Sequence, residues 1–377
     1  MRRASSRLGS RLEIIPRALM KRLLSGKRRK PAHPGRILVA HQLLLGDTLM
    51  LTPLLARLRR NHPEAEIVVT VSRGQLPLYT PRPYGVDAVT YDSRNHESAK
   101  ALLGLGPFDL AVVPGDNRHT VLAHALGSVW VVALAGDRPG WKNRFADELI
   151  PIPAEPIALP DLFALLAGEE DDAAYDPGDW PHPECAPFEL PERDYAVLNV
   201  DASSPLRFWP AHKWLQLADT LEATGLEVVF CAGPGEKGMV EAIDPGRRHV
   251  SYAGMLDLPQ LWRLLESARL LVCLDSGVSH LAKLARTPSV VLYGPGSPAL
   301  FGPGRFWRNH PYRAVTIADF PCRDQHGVFM LAMFGLEQPA MGPIILLTVV
   351  LNIAAQLGDL GWQRPSRTRS HPATSRH

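Results

Sequence analysis

The sequence predicts an α/β protein made of two successive doubly wound parallel-sheet units, two lobes facing a central cleft. Three observations predict it. Apolar, β-branched runs alternate with helical patterns over most of the length, the pattern of a parallel sheet covered on both faces. The alternation breaks once, between Pro151 and Pro191, where nine prolines remove backbone donors and disfavour helix. It then restarts, so the proline-rich stretch reads as a linker between units.

The first unit, 36–150, opens with a strand at Arg36–Ala40, a loop at Leu44–Asp47 and a helix running to Arg60. Further strands are expected at Glu66–Val71, Ala88–Tyr91, Leu110–Val113 and Val129–Leu134, with helices at Glu97–Leu103 and Thr120–Leu126. The linker region, 151–193, also carries the acidic cluster Glu169–Asp172. The second unit, 194–330, gives strands at Tyr195–Val200, Glu227–Cys231, His249–Tyr252, Leu270–Leu274 and Ser289–Tyr293. Its helices fall at Ala211–Thr224, Glu236–Ile243, Leu258–Ala268 and Val278–Ala285. In the C-terminal helical segment 331–360, Ile344–Leu357 reads as a buried helix. Thr348, Asn352 and Gln356 interrupt it, and no stretch reaches the ~18 apolar residues that span a bilayer.

A hydrophobic fraction of 46% with 21% charged residues excludes wholesale disorder. The net charge of +3 is a sum over unlike parts. Residues 1–36 hold twelve Lys and Arg against Glu13, and residues 361–377 hold four Arg and no acid, which leaves −12 on the body. The basic N-terminal arm is expected to serve location, at a membrane rather than on nucleic acid. The arm 1–35 mixes apolar and basic residues at helical spacing over Arg11–Leu24, followed by Lys27–Lys30. This suits an anionic membrane surface, at about 1 kcal/mol per basic residue near it. Pro16 weakens that helix, and a plain disordered tail is the other reading, as it is for 361–377. The four cysteines, Cys185, Cys231, Cys273 and Cys322, have no metal-type spacing and fit reduced thiols in a cytoplasmic protein. The N-terminus lacks the apolar run of a secretory signal.

In doubly wound sheets ligands bind beyond the carboxyl ends of the strands, where helix N-termini point. After the first strand, Gly46 allows a tight turn and Asp47 stands at a helix start, either as an N-cap or as a general base facing the cleft. No GxGxxG follows, which argues against a nicotinamide site. After the first strand of the second unit, Ser203, Ser204 and Arg207 make a phosphate cradle or, alternatively, a turn before the helix at Trp209 and Pro210. Cys231 to Glu236 places two glycines and a carboxylate where a ribose can approach, although Gly-Pro-Gly also serves any turn. The most informative stretch runs from Leu270 to Pro298. Asp275, Ser276 and Gly277 precede a helix whose N-terminus suits a diphosphate, and His280 lies one turn in. The helix dipole contributes about 0.3–1 kcal/mol to such binding at exposed sites.

Taken together, three stretches resemble the glycosyltransferase family 9 enzymes, the ADP-heptose:lipopolysaccharide heptosyltransferases and their relatives. They are ILVAHQLLLGDTLMLTPLLARLRR, RFWPAHKWLQLADTLEATGLEVVFCAGPGE and LLVCLDSGVSHLAKLARTPSVVLYGPGSP, in the family order. The resemblance covers residues 36–330 and implies a GT-B fold of two Rossmann-like lobes, with acceptor on the first and nucleotide-sugar donor on the second. It implies an inverting transfer that needs no metal and no cofactor beyond the donor, ADP-heptose. Asp47 matches the catalytic base. Ser203, Ser204 and Arg207 match donor-phosphate positions, Glu236 a ribose carboxylate, and Asp275, Ser276, Gly277 and His280 the donor loop. The acceptor would be a lipid-linked glycan met at the inner face of the inner membrane.

The sequence departs from the family in places. Leu43 and Leu44 stand where the family commonly has serines, Arg207 where it commonly has Lys, and Gly296 where it commonly has Thr. Two other readings remain at this point, a sugar-nucleotide epimerase or hydrolase of the same fold and a catalytically silent nucleotide-sugar-binding subunit.

Overall fold

A computed structural model describes residues 7–24, 28–168, 172–316 and 346–359. Lys27, residues 169–171 of the acidic cluster, Cys322 and the tail 361–377 lie outside the described residues, as does much of the segment 331–360.

The N-terminal half runs α1 (Arg7–Leu24), β1 (Arg36–Val39), α2 (Leu45–Leu49), α3 (Thr52–Asn61), β2 (Glu66–Val71), β3 (Val86–Thr90), α4 (His96–Leu103), β4 (Leu110–Val113), α5 (His119–Ala125), β5 (Trp130–Leu134), β6 (Glu148–Ile150) and α6 (Leu159–Ala164). The C-terminal half runs β7 (Tyr195–Asn199), α7 (Ala211–Glu222), β8 (Glu227–Cys231), α8 (Lys237–Ile243), β9 (Val250–Ser251), α9 (Leu258–Ser267), β10 (Leu270–Leu274), α10 (Gly277–Ala285), β11 (Ser289–Tyr293), α11 (Pro298–Phe301), β12 (Tyr312–Thr316) and α12 (Leu346–Asp359).

The strands form two six-stranded sheets, ordered β3-β2-β1-β4-β5-β6 and β12-β11-β10-β7-β8-β9. Neighbouring strands pair in parallel throughout, from Ile37 beside Ile67 and Leu110 to Cys273 beside Asn199 and Val291. Each chain path reverses direction across its sheet beside the first strand, between β1 and β4 and between β7 and β10. The crevice outside the strand ends lies at these two switch points. Every residue of β7, β10 and β11 is buried, which is why these strands read as unbroken apolar runs. The edge strands β6 and β12 do not appear in the sequence reading. β6 has three residues and leaves Leu149 41% exposed, and β12 buries only Val315 fully, so neither carries an apolar run.

The proline-rich stretch is irregular, as expected, yet it is not loose. It contains α6, which buries Leu162 and Phe163, and it sends the fully buried Trp180 to the seam of the lobes. The Trp180 indole N–H donates to the Leu78 carbonyl of the first lobe at 3.1 Å, while its ring lies 6.2 Å from Trp262 of the second. A single hydrophobic core therefore runs from the inner layer of one lobe into the other.

The basic segment at the N-terminus is not a free arm. It forms the helix α1 despite Pro16, and it rests on the first lobe through Ile14 and Ala18. The Arg17 guanidinium donates to the Leu103 carbonyl at 3.2 Å, and Arg22 reaches the His124 imidazole at 3.3 Å. Tertiary packing of one face outweighs the single backbone bond that Pro16 removes. At the other end α12 is buried on one face only. Val349, Ile353 and Leu357, four residues apart, enter the core of the second lobe, while Leu351 is 59% exposed. Among the described residues no helix is long and apolar enough to cross a membrane.

Candidate active site

The lobes touch where α2, just after β1, lies against the N-terminus of α10, just after β10. Two glycines permit the approach. A methyl group on Gly46 would lie 3.0 Å from His280 Cδ2 and 3.3 Å from the Gly277 Cα. One on Gly277 would lie 3.1 Å from Leu45 Cδ2 and 3.2 Å from the Gly46 backbone nitrogen. The turn after the first strand of one lobe is thus pressed onto the loop that opens α10 in the other.

Asp47 sits at this seam, in the first turn of α2. It is not the cap of that helix: the N-cap position is Leu44, and no side chain caps the helix. The half-buried Asp47 carboxyl has its pKa raised above the usual carboxylate range by burial. The Arg207 charge opposes that rise and the Asp275 carboxyl adds to it. All three groups therefore lie within electrostatic reach of one another across the lobe boundary.

On the second lobe, Arg207 closes the short turn Pro205–Arg207 after β7 and donates from Nη1 to the Asp275 carbonyl at 2.6 Å. The same nitrogen is 3.7 Å from Asp275 Oδ2, an ion pair joining the ends of β7 and β10. Asp275 is 2% exposed, and burial raises its pKa while Arg207 and Lys283 pull it down. Ser276 takes the N-cap position of α10 in extended backbone, yet its hydroxyl makes no cap bond. Its Oγ and Asp275 Oδ2 are both buried without a hydrogen-bond partner. A buried hydroxyl left open beside an arginine at a helix N-terminus is a place prepared for an anion's oxygens. His280, 3% exposed, stands behind this loop, its pKa held well below the ordinary value by burial, then by Lys283 and Arg207.

The structure therefore gathers Asp47, Arg207, Asp275, Ser276, Gly277 and His280. Ser203, Ser204 and Glu236 stand on the loops after β7 and β8, and the Ser204 carbonyl accepts from the Arg207 amide at 3.0 Å. Ser204 is buried and Ser203 exposed on the loop after β7. Glu236 is exposed at the start of α8, where it makes no cap bond. Its loop is fixed from below, since the Gly233 amide donates to Asp201 Oδ2 at 3.0 Å and Asn199 donates to Asp201 Oδ1 at 2.7 Å. Among the described residues, Asp219, Glu222 and His249 approach one another closely enough to share a metal ion. None is a predicted site residue, and Asp219 already pairs with Arg248 at 2.9 Å.

Two residues packed against this group, Gly296 and Lys283, are not among the predicted site residues. Gly296 follows β11 where a Cβ would come 2.2 Å from Asp275 Oδ2, so only glycine leaves that carboxylate its place. Lys283 is 1% exposed on α10, and its Nζ lies 3.1 Å from His280 Nδ1. Its one trace in the sequence is a lysine amid the apolar run of that helix.

A family model described as glycosyltransferase family 9 (heptosyltransferase) matches residues 121–318. The chain is 24% identical over 313 residues to lipopolysaccharide heptosyltransferase 3 of Escherichia coli, covering 74% of this chain and 89% of that one. It is 30% identical over 109 residues to lipopolysaccharide heptosyltransferase 1 of Salmonella typhimurium, covering 29% of this chain and 34% of that one. Among solved structures, the Escherichia coli ADP-heptose lipopolysaccharide heptosyltransferase II aligns with a TM-score of 0.66 at 18% identity, over 87% of this chain and 99% of that chain. The Escherichia coli heptosyltransferase WaaC with ADP aligns with a TM-score of 0.65 at 18% identity, over 85% and 99%. The likeness in shape shows the fold, two Rossmann-like lobes in the GT-B arrangement. The family match spans more than half of the 377 residues, and the chain belongs to glycosyltransferase family 9, the heptosyltransferase family.

Proposed function

We propose that the chain is an inverting, metal-independent glycosyltransferase that moves a heptose-like sugar from a nucleotide-sugar donor, ADP-heptose, to a lipopolysaccharide or related surface-glycan acceptor. The observation that carries this reading is the seam itself. A carboxyl of raised proton affinity on one lobe faces an arginine and an open helix N-terminus on the other. The names of the relatives, lipopolysaccharide heptosyltransferases, support the sugar and the acceptor.

In the reaction an acceptor hydroxyl oxygen attacks the anomeric carbon from the face opposite the diphosphate. The bond from that carbon to the phosphate oxygen breaks, and its electron pair leaves with the nucleoside diphosphate. A single displacement inverts the anomeric centre. Asp47 accepts the hydroxyl proton, a role that typically contributes about 10²–10⁴-fold. Its raised pKa matches the task, because a carboxylate that binds a proton more readily is a stronger base. Negative charge growing on the diphosphate meets Arg207, the Ser276 hydroxyl and the backbone N–H groups from Gly277 onward. These groups supply the positive potential for which other transferases recruit a divalent ion. Ser203 and Ser204 bind the phosphates at their outer side, and Glu236 accepts the ribose hydroxyls.

The acceptor's lipid places the reaction at the inner face of the inner membrane, with the protein peripheral to it. Helix α1 supports that placement. Leu12, Ile15, Leu19, Met20, Leu23 and Leu24 are all exposed, from 44% to 85%, on a helix whose other face is pinned to the first lobe. Exposed apolar side chains in a segment that carries +11 suit a surface of anionic lipid.

Incubation of the protein with ADP-heptose, with and without truncated lipopolysaccharide, tests the reading. Product that forms only with acceptor is the expected result. Donor turnover without acceptor would make the protein an epimerase or hydrolase, and bound nucleotide with no product would make it a binding subunit.

A further inference from the structure

Helix α10 carries a lysine in a place where lysine is rarely found. Lys283 is 1% exposed, and its ammonium group lies 5.5 Å from the Trp307 ring and 6.0 Å from that of Tyr312. A buried cation needs an acceptor for every N–H. Lys283 Nζ has three: the carbonyl of Phe301 at 3.1 Å, the carbonyl of Gly302 at 2.9 Å and His280 Nδ1 at 3.1 Å. The two carbonyls are fixed acceptors. The imidazole nitrogen is not, because a neutral histidine carries one proton on either of its nitrogens.

We propose that Lys283 is a positioning residue that sets which nitrogen of His280 carries the proton, and so what the imidazole presents to the Asp47 turn. The charged ammonium has three donors and no lone pair. Its third N–H then requires a bare Nδ1, which puts the ring proton on Nε2. The neutral amine has two N–H groups and one lone pair. Its two donors stay on Phe301 and Gly302, its lone pair accepts Nδ1–H, and Nε2 becomes an acceptor. That nitrogen is on the ring edge facing α2, 3.6 Å from where a methyl on Gly46 would be. One proton on a buried amine thereby switches a group that faces the Gly46 turn between donor and acceptor without moving a heavy atom.

The surroundings poise this switch near neutrality. Burial pulls the Lys283 pKa down to about 7, while Asp275, Cys273 and Asp161, from β10 and α6, favour its charge. On the β12 side Tyr312 donates its hydroxyl to Tyr293 and holds its own proton, and His310 is kept neutral by burial and by Lys283 itself. His280 is likewise held neutral by burial, Lys283 and Arg207, so its tautomer, and not its charge, is what responds. Lys283 lies outside the residues assigned to the proposed transfer. The inference rests on that reading only in giving His280 a place beside the donor.

The test is nitrogen NMR on full-length, unliganded protein carrying ¹⁵N-labelled histidine, with the His280 signals identified by their loss in His280→Gln. At about pH 6 the one-bond proton coupling is expected on Nε2, and at about pH 8.5 on Nδ1. In Lys283→Met that pH-dependent exchange is expected to vanish. A wild-type tautomer that is the same at both pH values would overturn the proposal, and so would a Lys283→Met protein that still switches. The wild-type titration decides the matter even if the variant fails to fold. Neither readout uses a substrate, so a failed switch is distinct from a failed transfer.

Discussion

At Asp47 the burial that raises the proton affinity of the carboxyl and the Arg207 charge that lowers it act on one side chain at once. Such opposed influences suit the role of base proposed for Asp47, and they arise because the strand ends of two lobes face each other. Asp275 shows the same balance with a structural consequence. Its Oδ2 occupies the space of a side chain at position 296, so Gly296→Ala forces a methyl and a carboxylate oxygen into 2.2 Å. The variant is expected to lose about 1–3 kcal/mol of unfolding free energy, the usual cost of overpacking. Chemical denaturation measures it, and a variant as stable as the parent would show that Asp275 is free to move. The strand-end residues Asp47, Asp275, Ser276 and His280 were legible in the sequence because a motif and a strand boundary coincide there. Lys283 was not, and Gly296 showed only as a departure from the family pattern, since the meaning of each lies in an atom from another strand or loop.

At the scale of elements, the contact between α2 and α10 decides how closely Asp47 and the loop Asp275–Gly277 approach. Helix propensity alone says that Gly46→Ala should stabilise α2 by roughly 0.5–1 kcal/mol. The seam says otherwise, because the added methyl meets His280 at 3.0 Å and the Gly277 backbone at 3.3 Å. The expected result is a transfer rate lower by about 10²-fold, as for an ångström of misplacement at a reacting centre, with no gain in melting temperature. Unchanged kinetics with a raised melting temperature would show that the lobes do not need this contact. Buried central strands announced themselves as apolar runs, whereas β6 and β12 did not, because an edge strand buries too little to leave a pattern. The proline-rich stretch was legible as irregular chain. Its work as a strap, through Trp180 between Leu78 and Trp262, depends on tertiary contacts that composition does not encode.

At the scale of the whole molecule, the net charge of +3 resolves into an acidic body and two basic ends, 1–36 and 361–377, the first of which contains the docked helix α1. Docking bears on the membrane placement proposed above: an α1 lying on a lipid surface would fix the first lobe against it. Full-length protein is expected to bind anionic vesicles of phosphatidylglycerol, and to release as salt screens the attraction. Replacing both Leu19 and Leu23 by Ser should weaken binding at least about tenfold, given about 1.5–3 kcal/mol for each large apolar side chain buried. Equal binding to neutral vesicles, or binding that ignores the double substitution, would remove α1 from that role. The charge asymmetry was plain in the sequence. That the helix is held to the lobe was not, because Pro16 argued against a helix and the packing of Ile14 and Ala18 on the core, with the Arg17 and Arg22 contacts, outweighs it.

These scales meet in one substitution. Asp47→Asn keeps the shape of the side chain and removes its capacity to take a proton. Donor affinity measured by calorimetry and transfer to truncated lipopolysaccharide measured by mass spectrometry should then separate. The account predicts donor binding within a few-fold of the parent and transfer lowered by about 10²–10⁴-fold. An Asp47→Asn protein that transfers sugar at the parental rate would contradict it.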